Sequence, residues 1–175
     1  MKEMNRREVL TLSGAAIVAL SLAGCGGPSA PPAPAVPTGK EAKVLEAINK
    51  YRGALPPLTP DSGLDPAMKI VVEIAKGKMK YDKEAVEALG NAIDGYIDVG
   101  APIGIAFDKD TGYMMPVCVY SDSAEQMEQN LLLLGDESGK ASLSSPAITL
   151  VNIKTFEHGS ATYWVALAAK GKVKP

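Results

Sequence analysis

The sequence predicts an α+β domain in which helices cover both faces of an antiparallel sheet, a three-layer α-β-α sandwich. Three observations carry that expectation. Apolar residues recur at helical spacing between residues 40 and 93. The spacing then changes to that of strands, in two β-branched and aromatic runs around an Asp/Gly-rich turn at residues 108–112. Near the C-terminus two further strands are mostly apolar on both faces, as in a sheet covered from both sides.

In order, a first helix is expected over residues 40–52, with Val44, Leu45, Ile48 and Tyr51 on one face and Gly53 and Pro56-Pro57 ending it. Asp65-Pro66, a cap and then a proline at the first helical position, opens a second helix. Its buried stripe is Met68, Val71, Val72, Ala75 and Met79. Asp82 caps a short third helix that turns Val86, Leu89 and Ile93 inward and ends between Gly90 and Gly95. Residues 96–102 read as irregular. Strands follow at residues 103–107 and 113–120, and Pro116, which has no N–H for a ladder, puts the second at an edge or a bulge. Ser123-Ala124-Glu125-Gln126 has the form of a capping box and starts a helix through Leu134, with Met127, Leu131 and Leu134 inward and Gly135 as its stop. After a polar loop, residues 147–156 and 161–169 form a hairpin around Glu157-His158-Gly159-Ser160.

Ahead of this domain lies a segment of another kind. Lys2, Arg6 and Arg7 make a positive start, and residues 9–22 are an apolar run too short for the roughly 20 residues of a bilayer span. Leu22-Ala23-Gly24-Cys25 closes it, with small residues where a peptidase must grip the backbone and a thiol to carry lipid. The arrangement resembles the bacterial lipoprotein signal, which implies cleavage after Gly24, lipid on Cys25 and anchoring in the cell envelope, on the outer face of the cytoplasmic membrane or in the outer membrane. Arg6-Arg7 within Asn5-Arg6-Arg7-Glu8-Val9-Leu10 also resembles a twin-arginine export signal. Residues 26–39 hold five prolines and three glycines and no charge. Such a stretch cannot bury a core; it reads as a disordered, extended spacer of about 3 Å per residue, able to hold the domain some 40 Å from the lipid. The chain thus divides into a signal (residues 1–24), a lipidated cysteine with its linker (25–39) and one domain (40–171).

Removal of residues 1–24 leaves 15 basic against 18 acidic side chains, a net charge near −3. The order of charges contains no basic patch, which argues against a nucleic-acid partner. Beyond Cys25 there is one cysteine, Cys118, so no disulfide forms within the mature domain; set among Val117, Val119 and Tyr120, it reads as a small core residue.

Three pieces of the domain resemble, in order, the CAP superfamily (cysteine-rich secretory, antigen 5, pathogenesis-related; SCP-like). Residues 44–58, VLEAINKYRGALPPL, resemble its opening helix ending in N-x-Y-R and a short loop with P-x-L; residues 64–79 resemble its second helix; residues 124–153 with Tyr163-Trp164-Val165 resemble its later helix and closing strands. The resemblance implies an α-β-α sandwich. It also implies a cleft with two histidines and two acidic residues able to hold zinc, and here this chain departs from the pattern. Gly139-Lys140-Ala141-Ser142-Leu143 puts lysine where one histidine belongs, and the other position falls near Lys80 or Tyr81.

No other constellation supplies catalysis. Met114, Met115, Cys118 and His158 are soft copper ligands by type, but adjacent strand residues point to opposite faces. His158 with Glu157 and the serines at 142, 144 and 145 lacks a nucleophile elbow. Asp108, Asp110 and Gly112 begin like a calcium loop, yet Val119 stands where a closing Glu is required. What remains is a domain without metal or cofactor that binds a protein, a cell-wall component or a small apolar ligand, with an envelope hydrolase as the alternative. The candidates for such a hydrolase site are Glu137 and Lys140, which are more simply read as a surface ion pair three residues apart.

Overall fold

The computed structural model describes residues 36–99, 103–133 and 143–173, and the fold is α+β. Helix α1 (Gly39–Arg52) buries Val44, Ala47 and Ile48, with Leu45 and Tyr51 packed at the margin of the same cluster. Its last turn also fixes the loop that follows. Asn49 Oδ1 accepts from the Leu58 N–H at 2.8 Å, and Arg52 donates through Nε and Nη2 to the Pro56 carbonyl at 3.1 and 2.9 Å. The same guanidinium reaches the carbonyls of Leu143 and, at 3.1 Å, Ile148, so a nearly buried cation ties three segments together through backbone oxygens.

Strand β1 (Thr59–Pro60) and a 3₁₀ turn (Ser62–Leu64) precede helix α2 (Asp65–Ala75). The turn runs straight into the helix, so Leu64 occupies the N-cap and Asp65 does not cap; its carboxylate is released to bond elsewhere. The inner stripe is Ala67, Met68, Val71, Ile74 and Ala75, while Val72 is half-buried and Met79 lies beyond the helix. Asp82 caps helix α3 (Lys83–Ala92) as expected, accepting from the Glu84 and Ala85 N–H groups. Val86 departs from expectation: it is exposed, because α3 leans on its neighbours through Ala85, Leu89 and Ile93.

Residues 96–97, expected to be irregular, form strand β2 (Tyr96–Ile97), paired antiparallel with β7 (Gly171–Lys172) at the end of the chain. A two-residue pairing is too short to leave a period in sequence. The expected strands at 103–107 and 113–120 are each broken in two. Strands β3 (Ile105–Phe107) and β4 (Met114–Pro116) make a two-stranded ribbon, with Pro116 at its last position. The flanking residues pair instead with β6 (Ala161–Ala169): Ile103 with Ala166, and Cys118 and Tyr120 through Trp164 N–H and the Thr162 carbonyl. Gly104 is the pivot. Its φ is +101°, and a Cβ there would stand 2.6 Å from the Trp164 carbonyl oxygen.

Helix α4 (Ala124–Leu133) begins at Ser123, whose Oγ accepts the Gln126 N–H at 3.4 Å. The return half of the expected capping box is rerouted: the Ser121 hydroxyl takes the Ser123 N–H and donates its own proton to Gln126 Oε1 at 2.6 Å. Leu134 and Gly135 lie outside the described residues. Strand β5 (Leu150–His158) turns into β6 through Gly159-Ser160, Gly159 supplying the positive φ of a two-residue hairpin.

The main sheet has the order β1-β5-β6 and is mixed, not antiparallel throughout, since β1 runs parallel to β5. Residues 61–149 separate the two, and so long a connection leaves strand direction free, as a hairpin would not. Alternation along β5 and β6 divides the core. Val151, Ile153, Trp164 and Ala166 pack with α1 and α4; Leu150, Phe156, Val165 and Leu167 pack with α2 and α3.

Candidate functional site

β1 pairs only with Leu150 and Val151 before the chain turns away at Asp61. Among the described residues no strand lies beside the remainder of β5 on that edge, and a cleft of about 260 Å³ opens along residues 151–154. Helix α1 contributes Glu41, the 3₁₀ turn Asp61 and Ser62, the first turn of α2 Asp65, and β5 Asn152 and Lys154. Val36, Pro37 and Thr38 form one further wall, so the end of the spacer enters the domain at this cleft.

Each carboxylate in the cleft accepts from donors of the fold. Glu41 Oε1 accepts both the N–H and the hydroxyl of Thr155, at 3.1 and 2.7 Å, closing a strand edge that would otherwise be open. Burial pushes the Glu41 carboxyl upward, but the Thr155 bonds and the charge of Lys154 outweigh it and hold the group below its ordinary value of 4.5. Asp61 follows the same balance, burial against bonds from Lys172, the Gly63 N–H and Tyr96, and is likewise lowered. Lys172 Nζ sits 2.9 Å from Asp61 Oδ2, and the Tyr96 hydroxyl donates to the same oxygen at 3.1 Å. Burial, opposed by Lys172 and assisted by Asp61, raises the Tyr96 phenol. A Cβ at position 63 would collide with the Tyr96 hydroxyl, so any residue but glycine there displaces Tyr96 from Asp61.

Asp65, freed from capping, pairs with Lys154 at 3.1 Å and accepts from Asn152 Nδ2 at 3.1 Å. Asn152 is nearly buried and donates also to the Asp61 carbonyl at 3.0 Å, while its Oδ1 has no partner among the described residues. The lining is thus rich in ionised acceptors already oriented by the fold. Among the described residues no three His, Cys, Asp or Glu side chains converge as metal ligands.

Of the residues singled out from sequence, Arg6, Arg7, Gly24, Cys25, Glu137 and Lys140 lie outside the described residues, as does Ser142. Met114 is half-buried and Met115 exposed, on opposite faces of β4 as expected for residues that do not share an ion. Cys118 is buried, and burial pushes its thiol up to about 12. His158 ends β5, edge-on to Tyr163 at 6.1 Å, and is not among the residues lining the cleft. Lys80 and Tyr81 are exposed. Asp108 closes the β3–β4 turn, accepting from the Asp110 N–H at 2.9 Å and the Thr111 hydroxyl at 2.7 Å. The cleft residues carry no joint signal in the sequence, because Glu41, Asp61, Asn152 and Lys154 converge only through the sheet; Asp61-Ser62-Gly63, a turn signal, is the one local trace.

The chain matches no protein-family model, no curated protein and no solved structure.

Proposed function

We propose that this chain is a lipid-anchored envelope protein whose domain is a non-catalytic recognition module, a degenerate CAP-like sandwich of three layers tethered through Cys25. One observation carries the choice of recognition over catalysis. The carboxylates of Glu41 and Asp61 are oriented by donors of the fold and held below their ordinary values. A general acid or base needs a pKa near the working pH. Groups fixed in the ionised form suit a partner instead. The order of signal, lipobox and spacer supports the anchor, and the succession of three helices, a ribbon, a helix and a closing hairpin supports the CAP-like reading.

The polar lining favours a partner bearing N–H or ammonium donors, a peptide or the peptide portion of a cell-wall polymer, over a small apolar ligand. Titration of the isotope-labelled protein with soluble peptidoglycan fragments tests this. Shifts at Gly63, Asn152 and Lys154 with the fragments recovered intact are expected; hydrolysed fragments overturn the reading in favour of an envelope hydrolase. Loss of palmitate labelling in C25S is the expected result for the anchor.

A further inference from the structure

Strand β5 keeps one backbone pair free on the edge that borders the cleft. In an antiparallel ladder, residues that exchange both bonds with the residue opposite alternate with residues that exchange neither. Ile153 stands opposite Ala166, whose N–H and carbonyl are both spent on Ile103, at 2.9 and 2.7 Å. The N–H and carbonyl of Ile153 therefore point away from β6, toward the cleft. The residues two places to either side have the same phase: the Val151 carbonyl accepts from the Asp61 N–H at 2.9 Å, and the Thr155 N–H donates to Glu41 at 3.1 Å. Asp61 thus closes this edge on one side of Ile153 and Glu41 on the other, with about 13 Å of strand between Val151 and Thr155. Within that window neither backbone group of Ile153 has a partner among the described residues, nor has Oδ1 of the adjacent, nearly buried Asn152.

We infer that this window takes a short extended peptide by strand addition, one ligand residue exchanging both hydrogen bonds with Ile153 and a neighbouring basic side chain meeting Asp65; the inference deepens the recognition reading of the cleft and rests on it. Two observations choose that occupant. Buried backbone groups are paired in folded proteins, and an added strand supplies a donor and an acceptor at the required spacing at once. Charge selects the basic neighbour. The lining sets the carboxylates of Glu41, Asp61 and Asp65 against the one ammonium of Lys154, and Lys172 offsets Asp61 from outside, so one negative charge remains. Glu41 Oε2 and Asp65 Oδ2 accept no hydrogen bond among the described residues. Side chains alternate across a strand, so the neighbours of the residue paired with Ile153 turn theirs to the face of Asn152 and Lys154, where Asp65 stands. The spacer is the competing occupant, because Val36, Pro37 and Thr38 already wall the cleft. Residues 26–35 meet neither demand: they carry no charge and four prolines, which have no N–H to give.

The test titrates the isotope-labelled full chain, in detergent micelles, with acetyl-Val-Lys-Val-amide and two counterparts: the same peptide N-methylated at every residue, and acetyl-Val-Glu-Val-amide. At saturation the Ile153 amide proton should move downfield and exchange at least tenfold more slowly, while the Thr155 amide, already bonded to Glu41, changes less. At least tenfold weaker binding is expected for the N-methylated peptide and at least threefold weaker for the glutamate peptide, and D65N should remove most of the preference for lysine. Equal binding of either counterpart, or no response at Ile153, overturns the proposal; shifts at Gly63, Asn152 and Lys154 with soluble peptidoglycan fragments in the same sample then leave the recognition reading standing without strand addition. Cleavage of the peptide overturns both. A response of Ile153 to deletion of residues 26–35, with no peptide added, assigns the edge to the spacer and overturns the proposal.

Discussion

Glu41 and Thr155, one in the first turn of α1 and the other midway along β5, are joined by two hydrogen bonds to a single carboxylate oxygen, at 3.1 Å from the N–H and 2.7 Å from the hydroxyl. The carboxylate stands where a neighbouring strand would offer a carbonyl. It fastens the helix to the sheet and at the same time blocks pairing at an open edge.

The pH dependence of stability follows from this contact and from Asp61. Both groups have folded pKa values lowered from the ordinary 4.5 and 3.8. A lowered value means the folded state holds the proton less tightly, so the stabilisation is complete above the ordinary values and is lost as pH falls through the still lower folded ones. The urea midpoint should be level from neutrality to about pH 5 and decline below it. In E41Q the decline should be shallower, and the Thr155 amide should exchange faster.

Arg52 should be the costliest polar residue to replace. R52M leaves the carbonyls of Pro56, Leu143 and Ile148 without their donor, each costing about 1–3 kcal/mol where buried. A loss of at least roughly 3 kcal/mol in urea denaturation is expected on that basis. R52K keeps the charge but not the fork, and should recover less than half of the loss.

Gly104 admits no side chain. G104A combines a left-handed φ of +101° with a Cβ 2.6 Å from the Trp164 carbonyl, and should cost on the order of 2–3 kcal/mol. Thermal denaturation measures the loss, and the Cys118 and Ile103 bonds to β6 should be the first to lose exchange protection.

Cys118 reports global unfolding. Its thiol is buried and pushed up to about 12, so almost none is thiolate at neutral pH. Iodoacetamide should label the folded protein only as fast as it opens, and G104A and R52M should raise that rate in proportion to their loss of stability. Fast labelling of the undisturbed protein would contradict the buried position.

The helices were legible in the chain because each carries its own period and punctuation. Val44 and Ile48, Met68 and Val71, and Asp82 as a cap act within a few residues of one another, and the Gly159-Ser160 hairpin is fixed by its turn. Local signals also misled where a neighbour overrode them. Asp65 looks like a cap, but a preceding 3₁₀ turn takes the N-cap and sends its carboxylate to Lys154 and Asn152. Residues 113–120 look like one strand, but Gly104 and the edge of β6 divide it.

By itself the sequence determined the class of the domain, the succession of its helices and the expectation of an address at Cys25, all of which depend on residues close together in the chain. Tertiary structure alone decided the parallel seat of β1, the pairing of β2 with the C-terminus and the cleft. Glu41, Asp61, Asn152 and Lys154 are separated by as much as 113 residues and meet because β1 stops after two residues beside a nine-residue strand. Periodicity states which face a residue occupies; which edge remains open depends on where distant strands end.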